Sequence, residues 1–73
     1  MVPLSLIDSG RKARLHSVCA GRELAARLAS MGLVPGTELE VISKSAKGPL
    51  VVLVGDTRLV LGRGMVNKIL VSP

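Results

Sequence analysis

The stretch Leu28-Ala29-Ser30-Met31-Gly32-Leu33-Val34-Pro35-Gly36-Thr37-Glu38-Leu39-Glu40-Val41 holds two glycine breaks in close succession, and their reading decides the order of elements on either side. Upstream of Gly32 the pattern is helical. Leu24, Leu28 and Met31 recur at i, i+4 and i+7 beside Ala25 and Ala29, while Arg22, Glu23, Arg27 and Ser30 fall on the opposite side. Gly21 serves as a weak N-cap, and Glu23 in the first turn suits the positive end of the helix dipole. Gly32 fits the C′ position, where the chain turns left-handed and a Cβ is penalised. Leu33 is then C″ and Leu28 is C3, the pair whose apolar contact accompanies a Schellman ending. Val34-Pro35-Gly36-Thr37 matches a type II turn, with Pro fixing φ at its second position and Gly supplying positive φ at its third. The first break ends a helix; the second aims a strand.

That strand runs Thr37 to Lys44 and opens with strict alternation, Leu39 and Val41 inward against Glu38 and Glu40 outward. Alternation fades at Ile42, which marks a bend or a covered outer face. Ser45 to Pro49 reads as a loop. Leu50 to Val54 is an uninterrupted apolar run, the pattern of a strand covered on both faces. Gly55-Asp56 reads as a two-residue hairpin turn of type I′ or II′, after which Thr57 to Leu61 returns antiparallel. Gly62 to Asn67 reads as one tight helical turn in which two glycines permit a sharp bend, and Lys68 to Val71 as a short last strand. Upstream of the helix, Lys12 to Val18 makes the first strand, with Ala13 and Leu15 inward. The order predicts one domain over residues 1–73, a mainly β barrel of about five strands with one α-helix between the first two, its closure hiding strand edges.

The chain has 73 residues and no Phe, Tyr or Trp, so its core is built from Leu, Val, Ile, Ala and Met. A core of this size supplies only about 3–5 kcal/mol, which invites a partner or a homo-oligomer to supplement it. Ten Lys/Arg against five Asp/Glu give a formal charge of +5, but only Arg11-Lys12-Ala13-Arg14 is densely basic, and the rest is a solvated surface. Cys19 is the single cysteine, so no intrachain disulfide is expected. The N-terminus lacks a signal-peptide pattern, and the longest apolar run is far short of the ~20 residues needed to span a bilayer. We expect a cytoplasmic protein with no membrane insertion.

Candidate chemistry is sparse. His16 and Cys19 are the metal-ligand candidates, with Glu23 beyond them. Residues i and i+3 of a continuous strand face opposite ways, and no further Cys or His completes a tetrahedral site, so no metal or cofactor is expected. The same two residues lack an orienting group for nucleophilic catalysis, and Gly62-Arg63-Gly64 lacks the Lys-Ser/Thr of a phosphate loop, so no enzyme is expected. A basic RNA-binding barrel would draw on Arg11, Lys12 and Arg14 for phosphate contacts, but base stacking needs aromatics; nucleic acid is not the expected partner.

The run Arg27-Leu28-Ala29-Ser30-Met31-Gly32-Leu33-Val34-Pro35-Gly36-Thr37 resembles the R-L-x-x-M-G-L-x-P-G signature of the FeoA family. Pro3-Leu4-Ser5-Leu6, Gly10, Ala13, Gly48-Pro49-Leu50, Leu59 to Arg63 and Ile69-Leu70-Val71 agree in order and spacing, so the resemblance covers essentially the whole chain. It implies an SH3-like β-barrel. It also implies a cytosolic, non-catalytic accessory subunit of bacterial ferrous iron transport, acting at the inner face of the membrane on a FeoB-type transporter with a G-protein domain. Transition metal ion binding belongs to that setting. The C-terminal SH3-like domain of iron-dependent repressors is similar across the same elements and gives the alternative reading. Absence of aromatics disfavours the proline-rich peptide groove of other SH3-like domains. Partner contact is expected on the helix at Arg27, Leu28 and Met31, Leu28 having a competing role as cap contact and barrel plug. Gly32, Leu33, Pro35 and Gly36 are structural turn residues.

Overall fold

In the computed structural model, which describes residues 1–19, 21–45 and 48–73, the helix and the turn of the Leu28–Val41 stretch form as the residue types dictate. Helix α1 spans Arg22–Ser30 behind the N-cap Gly21. It ends in a Schellman arrangement: the Leu33 N–H donates to the Leu28 carbonyl at 2.9 Å and the Gly32 N–H to the Ala29 carbonyl at 3.0 Å. Gly32 has φ +94, a value that a Cβ penalises. The following turn closes with the Thr37 N–H donating to the Val34 carbonyl at 3.1 Å, and Gly36 at φ +94 makes it type II. Leu28 is 0 % and Leu33 2 % exposed, so the apolar pair of the helix ending is also part of the core.

Six antiparallel strands make one sheet: β1 (Val2–Pro3), β2 (Lys12–Val18), β3 (Glu38–Lys44), β4 (Leu50–Val54), β5 (Thr57–Leu61) and β6 (Ile69–Ser72), in the spatial order β1-β6-β2-β3-β4-β5. The count exceeds the expected five by β1, which pairs Val2 with Val71 and Pro3 with Leu70. Helix α1 therefore lies between the second and third strands. A 3-10 turn at Leu4–Leu6 follows β1, and Leu4 enters the core at 0 % exposure. The last strand starts at Ile69 rather than Lys68, preceded by the helical turn α2 (Arg63–Val66). The sheet curls around its aliphatic core, with Leu15, Leu39, Val41, Val52, Leu61, Ile69 and Val71 all 2 % exposed or less. Ladder pairing does not close the ring, and β1 and β5 are its two edges. Closure by hydrogen bonding was therefore too strong an expectation. Helix α2, which follows β5, packs on the 3-10 turn that follows β1.

Three local readings sharpen. The fading alternation at Ile42 is a β-bulge between Val41 and Ser43, which leaves Ile42 36 % exposed. In β4, Leu50 and Val52 are buried but Val51 and Leu53 only half-buried, so the uniform apolar run hides an inner and an outer face rather than two covered ones. The hairpin turn is type II′, because Gly55 has φ +60 while no non-glycine residue has positive φ, Asp56 included. One reading is corrected: Gly62 has φ −67, and neither it nor Gly64 has positive φ, so the bend before β6 does not require glycine conformations. Of the loop from Ser45 to Pro49, Ala46 and Lys47 lie outside the described residues.

Two substitutions separate packing from backbone geometry in urea unfolding curves. Leu28→Ala is expected to lower stability by about 2–5 kcal/mol through lost burial and a cavity. Gly32→Ala meets nothing nearer than Val54 Cγ1 at 3.8 Å, so its cost is conformational and smaller, about 1–2 kcal/mol.

Candidate functional site

The connection from β2 through α1 to β3 holds every residue singled out by the sequence as a partner contact. Its base is fixed to the sheet. The Leu15 N–H donates to the Thr37 carbonyl at 2.8 Å, the Gly36 N–H to the Leu15 carbonyl at 2.8 Å, and Arg14 Nη1 to the Gly36 carbonyl at 3.2 Å. These contacts carry the β2–β3 ladder (Lys12 with Glu40, Ala13 with Leu39, Arg14 with Glu38) up to the foot of the helix. Thr37 Oγ1 adds a hydrogen bond to the Gly32 carbonyl at 3.2 Å, joining the two glycine breaks directly.

On this base α1 presents one buried residue and several outward ones. Leu28 points into the core, while Arg27 is exposed and Met31 is 38 % exposed. The structure thus separates the three expected contacts: Leu28 is the plug and cap contact, and Arg27 and Met31 are surface. Val34, 42 % exposed, joins Met31 on the far side of the Gly32–Leu33 break. Beside the first turns of α1 lies a shallow groove of about 380 Å³ lined by Gly21, Glu23, Leu24, Arg27 and Lys68. Its charges are two cations and one carboxylate. Lys68 and Val34 were not anticipated; Lys68 is distant in sequence, and its place beside the helix comes from β6 pairing with β2. Val34 carried a weak signal as the apolar first residue of the Pro-Gly turn.

His16 sits at a β-bulge between Leu15 and Ser17, exposed, with Nδ1 3.2 Å from Ser17 Oγ. Cys19 is an exposed free thiol just past β2, its N–H donating to the Lys68 carbonyl at 2.6 Å. Among the described residues, no three of His, Cys, Asp and Glu come together as a metal site. Among the described residues, no helix is long and apolar enough to cross a membrane.

The FeoA domain model matches residues 2–73. A Methanocaldococcus jannaschii chain assigned as Fe(2+) transport protein A is 32 % identical over 72 residues, covering 99 % of this chain and 87 % of that one. A crystal structure of an iron uptake regulatory protein, FeoA, superposes with TM-score 0.90 at 32 % identity, covering 97 % of this chain and 95 % of the other. FeoA from Stenotrophomonas maltophilia, solved with zinc and described as a procaryotic SH3 domain protein, gives TM-score 0.85 at 30 % identity, covering 99 % and 91 %. T. acidophilum IdeR gives TM-score 0.84 at 22 % identity, covering 97 % of this chain and 33 % of that one, a likeness of fold alone.

If the outward face of α1 carries no fold energy, Arg27→Glu costs little. The expected loss is about 0.3–1 kcal/mol, from a carboxylate placed near the negative end of the helix dipole, read as a small shift of the unfolding midpoint.

Proposed function

The chain belongs to the FeoA domain family, and from that premise we propose that it is a cytosolic, non-catalytic accessory subunit of a ferrous iron transport system, acting by protein contact on a FeoB-type membrane transporter with a G-protein domain. One observation carries the contact side of this reading. The helix is held by buried Leu28 and Leu33, while Arg27 on it, Met31 at its C-cap and Val34 in the following turn are exposed. Arg27 offers a planar cation for a carboxylate, and Met31 a flexible apolar surface able to fit a partner's relief. Iron is the cargo of the transporter in this reading, and this chain acts as its regulator or positioning subunit at the inner membrane face.

The test is a pulldown from membranes of the source cell with the wild-type chain, Arg27→Glu and Met31→Glu. Recovery of a membrane GTPase by the wild type, reduced at least tenfold by both folded variants, is the expected result. Equal recovery by all three would place the contact elsewhere. Recovery of no membrane GTPase by the wild type, or of nucleic acid in its place, would overturn the reading.

A further inference from the structure

The second edge of the sheet, β5, is open. Its hairpin with β4 is a two-residue one, pairing Val54 with Thr57, Val52 with Leu59 and Leu50 with Leu61. Those are the hydrogen-bonded pairs of such a hairpin, so Leu53–Arg58 and Val51–Val60 are the alternate, non-hydrogen-bonded pairs. The main-chain N–H and C=O groups of Arg58 and Val60 therefore point away from β4, toward the free edge. Neither amide has a partner among the described turn, loop or side-chain hydrogen bonds.

Proteins blunt such edges with proline, a bulge, a dense row of charges or a covering segment. Strand β5 (Thr-Arg-Leu-Val-Leu) has no proline, and its ladder with β4 runs without a register shift. The other edge, β1, is two residues long and contains Pro3, so only β5 offers a regular template. Val60 is 67 % exposed, and half-buried Val51 is its partner across the β4–β5 ladder, an apolar pair on the outer face. The charged side chains around the edge are Arg58 on β5, Arg63 after it and Asp56 in the turn, net positive.

We propose that the β5 edge is a strand-addition site for an extended acidic segment of another protein, its main chain pairing with Arg58 and Val60, an apolar side chain beside Val60 and a carboxylate beside Arg58. Main-chain hydrogen bonds supply affinity in this mode, and the alternate side chains supply selectivity. A second copy of this chain is the weaker occupant, because each copy carries a formal +5.

Three acetylated, amidated heptapeptides test it by amide NMR on the full chain: Thr-Val-Glu-Val-Glu-Val-Thr, the same sequence with Lys for Glu, and the Glu peptide N-methylated at alternate residues. The Glu peptide should shift the Arg58 and Val60 amides and slow their hydrogen exchange at least tenfold. The Lys and N-methylated peptides should bind at least tenfold more weakly. Arg58→Glu should reverse the preference between Glu and Lys peptides, and Val60→Pro, which removes an outward-facing donor together with the edge valine side chain and fixes φ there, should abolish binding in a chain whose β4 amides keep their shifts. If Val60→Pro does not fold, the Arg58→Glu reversal alone decides. Shifts confined to Arg11, Lys12 and Arg14, equal binding of the N-methylated peptide, or no shift with any peptide would overturn the proposal. Concentration-dependent shifts of the β5 amides without peptide would assign the edge to self-association and overturn the occupant named.

Discussion

Everything in the molecule turns on the left-handed residue Gly32. Its φ of +94 lets the Leu33 N–H fold back onto the Leu28 carbonyl, and the same reversal drops both leucine side chains into the core. A helix as short as α1 is not stable by propensity alone. It persists because its last turn is clamped by backbone hydrogen bonds and its one fully buried residue is gripped by the sheet. The type II turn then starts β3 in register with β2, so the helix is a protrusion on an antiparallel pair rather than a separate layer. One conformational exception at one glycine links helix termination, core plugging and strand register.

With no aromatic residue, the core has no large plate to span the space between opposite walls of a curled sheet. Many medium-sized aliphatic side chains do that work, drawn from almost every element: Leu4 from the 3-10 turn, Leu28 from α1, Val66 from α2, and the inward residues of β2 to β6. No buried side-chain nitrogen or oxygen is left without a partner among the described residues, and no buried residue is polar or charged. Among the described residues the interior is purely apolar.

What the sequence made legible follows from how local the signal is. The helix end, the type II turn and the hairpin are each written within a few residues, where glycine at a fixed offset has one physical reading, and each forms as read. The bulge at Ile42 was visible as a break in alternation. The bulge at His16 was not, because its cause lies in the pairing of Leu15 and Ser17 with β6, far along the chain. Strand β1 was missed for the same reason: two residues carry no periodicity, and only Val71 and Leu70 make a strand of them. On the helix, the exposure of Arg27 was legible from spacing and residue type, whereas Lys68 comes beside it only through tertiary pairing.

The fold resembles other SH3-like barrels, but its surface uses must differ from theirs. A groove that recognises proline-rich peptide needs aromatic walls, and this chain has none to give. Two kinds of surface remain that do not depend on aromatics. One is the end of α1 and the turn after it, where a guanidinium, a thioether and a valine are exposed. The other is the edge of β5, where recognition rests on the main chain and needs only an exposed valine and one cation. They lie on different parts of the sheet order, α1 between β2 and β3 and the open edge at the end of the row. A domain this small can therefore meet a helix-reading surface and a strand-donating segment through separate elements, without either contact disturbing the core that holds both in place.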